Sequence, residues 1–466
     1  MTTTRRPRPT CRAASLATAA LIGIAATPLA APAAAVEPEL TPRTAPPPAA
    51  VLPTTTGTEY FDTPRDLNGC PYRTSPPAPV DQSEAPRPGG TVPAPPPVAA
   101  TPAGGARLAG CDVAATDGFQ VPRDVTASAW IVSDLDTGEV VAARDAHGRY
   151  RPASLAKTLL ASVALDRLDP EEIITVTDAD LEGAEGSLVG VGPGGKYSVD
   201  RLLHGLLMAS GNDAAVVLAH RMGGIQETVD AMNAHAAELG CADTHLATVN
   251  GLDGPGMMTS AYDLALIFRD AMTRPEFARI VATPSWGFPG YPAGEGAGAP
   301  DPANPPTAYT GPMTRPDGTV VNPGFVLGND NQLIHNYEGA IGGKTGFTDD
   351  ARHTFIGAAE RDGRRLAAVL LDGTRVPKAP WEQAAQLLDA GFASRGSVST
   401  LVSGVPTTTG GTTEQLAAGP LGTVAQGEST TVRGSFLERY GPWLAVGAGA
   451  VVVVAGGVLA ARSRRR

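Results

Sequence analysis

Proline and glycine are concentrated near the two ends of this 466-residue chain, which contains 43 Pro and 55 Gly. The stretch from Val36 to Leu108 is rich in Pro, Ala and Thr and has few large apolar residues. It cannot bury enough surface to offset its ordering entropy, so we expect residues 36–111 to be mostly extended or disordered. The sequence from about Val125 to Ala393 has an ordinary globular composition and can bury one sizeable core. The chain is therefore limited to one main domain, which we assign to residues 112–396.

The extreme N-terminus has the pattern of a secretory signal peptide. Four arginines precede an uncharged apolar run from Ala13 to Ala30, and Ala33–Ala35 then supplies the small residues of a cleavage site. We predict that residues 1–35 are removed on export.

The C-terminus carries a second apolar run, Trp443–Ala461, which has no charged residue. As a helix rising ~1.5 Å per residue it would span roughly 28 Å, close to the hydrocarbon thickness of a bilayer. An arginine-rich tail follows, and positive residues stay cytoplasmic. We predict a linker over 397–440, a transmembrane helix over 441–461 in the cell membrane, a cytoplasmic tail over 462–466, and an extracellular main domain. A removed sorting tail is the alternative, although no sorting motif stands before it.

The formal net charge of −11 is unevenly distributed. Eight arginines lie at the two extreme termini, and without them the rest of the chain carries −19. A body this acidic has no broad positive field, so nucleic acid is not an expected partner. A local cationic pocket could still hold a small anionic substrate.

Three of the four cysteines remain once Cys11 has left with the signal peptide. In an oxidising compartment at most one pair can form within the chain. Cys70 and Cys111 both lie upstream of the globular body in Gly-flanked sequence, whereas Cys241 follows a helix end and has the character of a small buried apolar residue. We favour a Cys70–Cys111 disulfide, with a bridge to Cys241 as the alternative.

The globular body alternates strand and helix patterns. A β-hairpin is predicted around Asp136–Gly138, and a helix is predicted from about Ser154. Further helices are predicted over 199–208, 213–222 and 381–393, and further strands over 340–347, 354–359 and 366–371. Strands at both ends with helices between them favour an α/β domain in which one antiparallel sheet is packed by helices.

Three short motifs carry possible chemistry. In Ser154-Leu155-Ala156-Lys157, the i, i+3 spacing places the hydroxyl and the amine on one helix face. A lysine with a depressed pKa can take the proton of such a serine, and helix N-terminal N–H groups favour developing negative charge. Alone, the motif would more often be an ordinary helix start with a solvated lysine.

The second motif, Ser210-Gly211-Asn212, lies at the break between two predicted helices. The third, Lys344-Thr345-Gly346, lies near the end of a predicted strand, where Gly346 lets a substrate backbone approach closely. Taken singly, the second is typical of a capping turn and the third of an exposed strand end.

Together and in this order, S-x-x-K, S-x-N and K-T-G resemble the signature of penicillin-binding proteins and serine β-lactamases. The sequences of residues 202–215, 250–254 and 342–349 are similar to the corresponding sequences of the D-alanyl-D-alanine carboxypeptidases, the low-molecular-mass penicillin-binding proteins. The resemblance covers about residues 125–393 and implies their penicillin-binding-protein/serine β-lactamase fold.

The resemblance implies a role for each motif residue. Ser154 would be the nucleophile, Lys157 the general base, and Ser210 a proton relay to the leaving amine. The backbone N–H groups of Ser154 and Phe347 would form the oxyanion hole.

The substrate-binding roles also follow from the resemblance. Asn212 would hold the substrate amide, and Lys344 and Thr345 would bind a terminal carboxylate. Family members often have one further arginine for this carboxylate, and the sequence leaves Arg375 and Lys378 as candidates.

Some features fall outside this pattern. Residues 287–319 are rich in Pro and Gly and have the character of an insertion of unassigned role. The seven histidines lack metal-type spacing, and no metal or cofactor is expected. His353 follows the K-T-G strand and is a weaker candidate for the cleft.

The favoured function is a serine-type D-Ala-D-Ala carboxypeptidase that trims peptidoglycan stem peptides through an acyl-enzyme and is inhibited by β-lactams such as penicillin. A β-lactamase or a DD-endopeptidase on the same fold is the alternative, although no extra Glu is placed to activate a deacylating water. A non-catalytic wall-binding protein is a third possibility, but it would be expected to have lost a motif residue. Peptide length and oligomeric state are not set by the sequence.

Overall fold

The computed structural model describes residues 62–293 and 312–402. The predicted signal peptide and transmembrane helix lie outside these residues. Within them, no helix is both long and apolar enough to cross a membrane. The described helices are α1 (Ala156–Arg167), α2 (Val199–Met208), α3 (Asn212–Arg221), α4 (Ile225–Leu239), α5 (Ala261–Ala271), α6 (Pro275–Val281), α7 (Gln332–Asn336) and α8 (Pro380–Ala393).

The described strands include several very short ones. They are β1 (Val113–Ala115), β2 (Ala129–Asp134), β3 (Glu139–Arg144), β4 (Ile173–Thr175), β5 (Lys196–Ser198), β6 (Ser285–Phe288), β7 (Tyr291–Pro292), β8 (Met313–Thr314), β9 (Val320–Asn322), β10 (Phe325–Gly328), β11 (Ala340–Thr348), β12 (Arg352–Arg361), β13 (Arg364–Gly373) and β14 (Ser399–Thr400). Short 3₁₀ turns cover Ala106–Leu108, Ala153–Leu155 and Ala179–Leu181.

The main sheet is antiparallel and has the strand order β1-β3-β2-β13-β12-β11, with β14 added beside β3. Its central strands are runs of Ala, Val, Leu and Ile that are buried on both faces. One face packs against α8 through Leu387 and Leu388, and the other face packs against the larger cluster formed with α1 to α5. The predicted antiparallel sheet packed by helices is therefore confirmed.

The element predictions also hold closely. The hairpin is β2 and β3, and the three predicted late strands are β11, β12 and β13. The helix α2 covers the predicted range, with its leucines buried and Ser198 capping its N-terminus by accepting from Arg201 N at 3.2 Å. The sheet extends past residue 396, because β14 lies inside the segment predicted as a linker and pairs with β3.

Residues 62–111, which we call the strap, are extended and are held to the domain by hydrogen bonds. Apart from one 3₁₀ turn, the strap has no regular element, yet its polar groups bond to the domain. Arg65 Nε lies 2.9 Å from both carboxylate oxygens of Asp372, and Arg149 Nη1 donates to Thr74 O at 2.9 Å. Composition predicted a mostly extended or disordered segment; residues 62–111 are extended, and the contacts that order them come from the domain.

The Cys70–Cys111 disulfide is confirmed, with a Cα–Cα distance of 5.4 Å. It closes the strap into a loop. Cys241 is a free, buried thiol just beyond the end of α4, where Gly240 is left-handed. The favoured pairing was therefore correct.

Candidate active site

Ser154 lies in a 3₁₀ turn that leads directly into α1. Its neighbour Ala153 has a positive φ of 48°, a conformation that costs energy for a residue with a Cβ and that is often found at functional sites. The hydroxyl of Ser154 lies 2.8 Å from Nζ of Lys157, one turn further along. The predicted pairing of the hydroxyl and the amine is therefore present, although Ser154 itself precedes the regular helix.

Lys157 is fully buried, and its Nζ also donates to Asn250 O at 2.6 Å. Burial and the positive charge of Lys344 hold the pKa of Lys157 well below its ordinary value, while Asp213 opposes the shift. The neutral amine is therefore formed more readily than in a solvated lysine. A neutral amine within hydrogen-bond distance of a hydroxyl can act as its general base.

The turn between α2 and α3 carries Ser210 and Asn212. Ser210 has a φ of 59° and is 6% exposed. Asn212 begins α3 and donates from Nδ2 to Glu185 O at 2.5 Å. Its Oδ1 is buried and has no hydrogen-bond partner among the described residues, so an acceptor remains for an N–H donor.

Asp213 holds the loop that faces this turn, and sequence reasoning did not identify that role. Its carboxylate accepts from the backbone N–H groups of three successive residues, Val189, Gly190 and Val191, at 2.8–3.1 Å. An acidic residue in the first turn of a helix predicts local capping, but nothing in the local pattern indicates that it binds a loop more than twenty residues upstream.

The third motif lies on β11. Lys344 is 1% exposed, and its Nζ donates to Thr345 O at 2.8 Å. Burial lowers the pKa of Lys344 to about 8, and Asp330 opposes that shift. The same burial raises the pKa of Asp330, with Lys344 opposing. Sequence reasoning missed Asp330, which follows β10 and has no motif of its own.

Gly346 lies where β11 passes close to the backbone of Ser154, and no side chain fits there. A Cβ at this position would lie 2.3 Å from Thr354 Oγ1 and 3.1 Å from the backbone N of Ser154. The absence of a side chain therefore lets the strand approach the backbone of Ser154. Phe347 follows and is 46% exposed, and its ring centroid lies 4.7 Å from that of His353.

These elements enclose a cleft of about 460 Å³. Lys157, Asn212 and Lys344 are buried beside it and are not among its lining residues. The described residues that line it are Ser154, Ser187, Ser210, Asp330, Gln332, Thr345, Gly346, Phe347, His353, Thr354, Phe355, Arg375, Ala379, Pro380 and Trp381.

The residues that line the cleft distinguish between the two basic residues that the sequence left as candidates for binding the carboxylate. Arg375 lines the cleft, whereas Lys378 is not among the lining residues and pairs at 3.8 Å with Glu382, in the first turn of α8. His353 also lines the cleft, and burial together with Arg375 and Arg352 lowers its pKa to about 4. The imidazole is therefore neutral at neutral pH. Among the described residues that line the cleft, the positively charged side chain is that of Arg375.

The arrangement can act on a substrate that ends in a carboxylate. A serine hydroxyl next to a buried lysine supplies a nucleophile and a base. A second serine, Ser210, lines the same cleft, Arg375 also lines it, and the amine of Lys344 is buried beside it. The fold and site define a serine hydrolase with a Ser–Lys pair.

Comparison with known proteins agrees with this class. The family described as D-alanyl-D-alanine carboxypeptidase matches residues 115–286 and 309–375, so the gap in the match, residues 287–308, falls within the predicted insertion at 287–319. D-alanyl-D-alanine carboxypeptidase DacB2 of Mycobacterium tuberculosis is 44% identical over 289 residues, covering 61% of this chain and 88% of that protein. DacD of Salmonella typhimurium is 33% identical over 298 residues, covering 61% and 67%.

A crystal structure of D-alanyl-D-alanine carboxypeptidase from M. tuberculosis H37Rv is 43% identical and has a TM-score of 0.53, covering 62% of this chain and 100% of that chain. The chain belongs to the D-alanyl-D-alanine carboxypeptidase family of serine peptidases. This family of penicillin-binding hydrolases acts on peptidoglycan stem peptides of the cell wall and binds β-lactams.

Proposed function

We propose that this protein removes the terminal D-Ala from peptidoglycan stem peptides through an acyl-enzyme on Ser154. The observation that carries the proposal is the 2.8 Å contact between Ser154 Oγ and a fully buried Lys157 Nζ, beside a cleft that Arg375 lines. The proposed roles of the motif residues are those inferred from the sequence, and their geometry is compatible with each role.

In the acylation step, neutral Lys157 accepts the proton of Ser154 Oγ, which attacks the carbonyl carbon of the penultimate D-Ala. The N–H groups of Ser154 and Phe347 stabilise the oxyanion. The C–N bond then breaks, and the proton passes from Lys157 through Ser210 to the departing amine, which leaves as free D-Ala. Water attacks the ester by the reverse proton path and restores the serine.

Substrate orientation would come from groups that bind the terminal carboxylate and from a group that binds the substrate amide. Lys344 and Thr345 would hold the terminal carboxylate, and Arg375 is the better-placed of the two further basic candidates. Asn212, with its unpartnered buried oxygen, would accept from a substrate amide N–H. A substrate that lacks the terminal carboxylate should therefore bind poorly.

Penicillin should act as a trap. A β-lactam ring opens without releasing a fragment, so its tethered nitrogen blocks the approach of water to the ester. Among the described residues that line the cleft, the acidic one is Asp330, and no glutamate lines it to activate water from another side. Each 1.4 kcal/mol added to the hydrolytic barrier slows release about tenfold, so a modest loss of water activation is enough for trapping.

The decisive experiment incubates the purified full-length chain with a pentapeptide ending in D-Ala-D-Ala and measures free D-Ala. We expect release by the wild-type protein, no release by Ser154→Ala, and no covalent penicillin adduct on that variant. An adduct of equal yield on Ser154→Ala would remove this residue from the mechanism. Hydrolysis of penicillin within seconds, without D-Ala release, would favour a β-lactamase instead.

We also propose that the protein is anchored in the cell membrane by residues 441–461, with residues 36 to about 440 outside. The signal pattern, the apolar run and the arginine tail support this topology. Protease added to intact cells should degrade the body of the protein. Full protection, under conditions in which a known surface protein is cut, would contradict the topology.

A further inference from the structure

Part of the strap binds the chain segment that leads into Ser154. Arg151 is 2% exposed, and its Nη1 donates to Pro77 O at 2.8 Å. Its Nε donates to the carboxylate of Glu84, whose side chain is 16% exposed. Pro152 and Ala153 alone separate Arg151 from Ser154, and a proline restricts the backbone between them. A displacement of Arg151 would therefore be passed on to the nucleophile.

The same part of the strap also binds the turn that follows Phe347. Asp350, which is 3% exposed, accepts from the backbone N of Val80 at 2.5 Å and from Ser83 Oγ at 2.9 Å. This turn joins β11 to β12, so Asp350 lies three residues beyond Phe347. Residues 77–84 thus contact both segments that carry the proposed oxyanion-hole N–H groups.

A third segment of the site meets the strap at the same place. Carboxylate oxygens of Glu84, Asp253 and Asp350 lie within 4.8 Å of one another. Burial raises the pKa of Asp253 to about 6; Asp350 and Glu84 add to this shift, while a Thr348 hydrogen bond and the Arg151 charge oppose it.

Asp253 belongs to the loop that begins at Asn250, whose carbonyl accepts from Lys157. The Glu84–Arg151 pair is therefore the point at which the strap, the nucleophile segment and the Lys157 loop converge. Three carboxylates this close repel one another, and the guanidinium of Arg151 offsets that repulsion.

The two catalytic segments are also linked directly. Thr354 Oγ1 on β12 donates to Pro152 O at 2.9 Å, which ties the β11–β12 hairpin to the residue next to Ala153. The strap adds charged contacts to both segments. These contacts come from a part of the chain that lies outside the family match, which begins at residue 115.

We propose that residues 77–84 are a positioning element for acylation, which acts through Arg151 and Asp350 to hold the backbone N–H groups of Ser154 and Phe347 at a fixed separation. The inference rests on the proposed function, because it uses the proposed oxyanion hole. Glu84, Ser83 and Val80 are positioning residues here, since none of them lines the cleft.

The test compares Glu84→Gln with Glu172→Gln in the full-length chain. Glu172 also pairs with an arginine, Arg221, but at a surface site that does not line the cleft. Three quantities are measured for each variant: the second-order rate constant of acylation by a fluorescent penicillin, the final labelling per chain, and the melting temperature.

We expect Glu84→Gln to acylate roughly tenfold more slowly, since a small misplacement of reacting groups has effects of this size. Its final labelling should stay at one adduct per chain, and its melting temperature should match that of Glu172→Gln. An acylation rate equal to that of Glu172→Gln would overturn the proposal. So would a fall in final labelling with an unchanged rate for the labelled fraction, which would indicate a purely structural role.

Ser83→Ala provides a second, milder variant that removes the 2.9 Å bond to Asp350 without changing charge. We expect this variant to slow acylation less than Glu84→Gln does. If Glu84→Gln does not fold, Ser83→Ala tests the proposal by itself, and a wild-type acylation rate in Ser83→Ala would overturn it. Failure of the proposed function is distinguishable, because the wild-type protein itself would then neither release D-Ala nor be labelled.

Discussion

Lys157 and Lys344 are both buried lysines beside the same cleft, but they have different neighbours. Lys157 lies on the helical side, where Lys344 is the nearby charge that depresses its pKa and Ser154 Oγ is 2.8 Å away. Lys344 lies on the strand side, where the anion Asp330 limits the fall of its pKa, which is about 8. Under the proposed function, the same residue type serves as the base on one side and as the carboxylate-binding cation on the other.

The comparison also shows that the two lysines depend on each other. The positive charge on Lys344 favours the neutral form of Lys157, so the group that would bind the carboxylate also helps to prepare the base. Burial alone would lower both pKa values. The neighbouring charges then differ: Lys344 lowers the pKa of Lys157 while Asp213 raises it, and Asp330 raises that of Lys344.

The largest effect should follow from removing the base. Lys157→Met keeps an unbranched apolar side chain in a fully buried site but cannot accept the proton of Ser154. We expect kcat for D-Ala release and the penicillin acylation rate to fall roughly 10³-fold, within the range of general-base catalysis. Rapid-quench measurement of acylation checks this. A variant that acylates at the wild-type rate would show that another group takes the proton.

A smaller effect should follow from removing the cation. Lys344→Met should raise KM for a peptide with a free terminal carboxylate roughly 10- to 100-fold, the loss expected for charge-assisted hydrogen bonds. The matched peptide with a terminal amide should change much less. Lys344→Met should also move the acidic limb of the acylation pH profile to higher pH, because Lys157 loses the neighbour that depresses its pKa. Equal losses for both peptides would contradict the assigned role.

The smallest effect concerns Asp330. Lys344 is protonated below a pKa of about 8, so KM for the carboxylate peptide should rise as the pH increases through that value. Asp330→Asn removes the anion that opposes the shift, so the pKa of Lys344 should fall further and the rise in KM should begin at lower pH. Asp317→Asn, at a fully exposed turn, is the control. A profile that shifts equally in both variants, or in neither, would remove Asp330 from this role.

Much of the site could be predicted from the sequence because its parts are local. Ser154 and Lys157 are one helical turn apart, Ser210 and Asn212 share one turn, and Lys344 lies on a strand with a clear apolar pattern. Backbone periodicity alone brings such neighbours together. The order of the three motifs then supplied the family, which the comparisons confirm.

Contacts between distant segments could not be predicted in this way. The sequence did not separate Arg375 from Lys378, and the difference arises because Lys378 pairs with Glu382 of α8 while Arg375 lines the cleft. It also did not reveal the loop contacts of Asp213 or the charge of Asp330 beside Lys344. Each depends on how the sheet and helices bring together residues that lie far apart in sequence.

The strap distinguishes most clearly between what could be predicted from the sequence and what depends on the tertiary structure. Its composition predicted a mostly extended or disordered segment, of which residues 62–111 are extended and bound to the domain, and the cysteine positions favoured the disulfide that is present. Only the tertiary structure showed that buried Arg149 and Arg151 and the carboxylate of Asp350 bind its backbone and polar groups. An apolar pattern reports whether a segment can bury itself, whereas a partner for its hydrogen bonds exists only once the rest of the domain has folded around it.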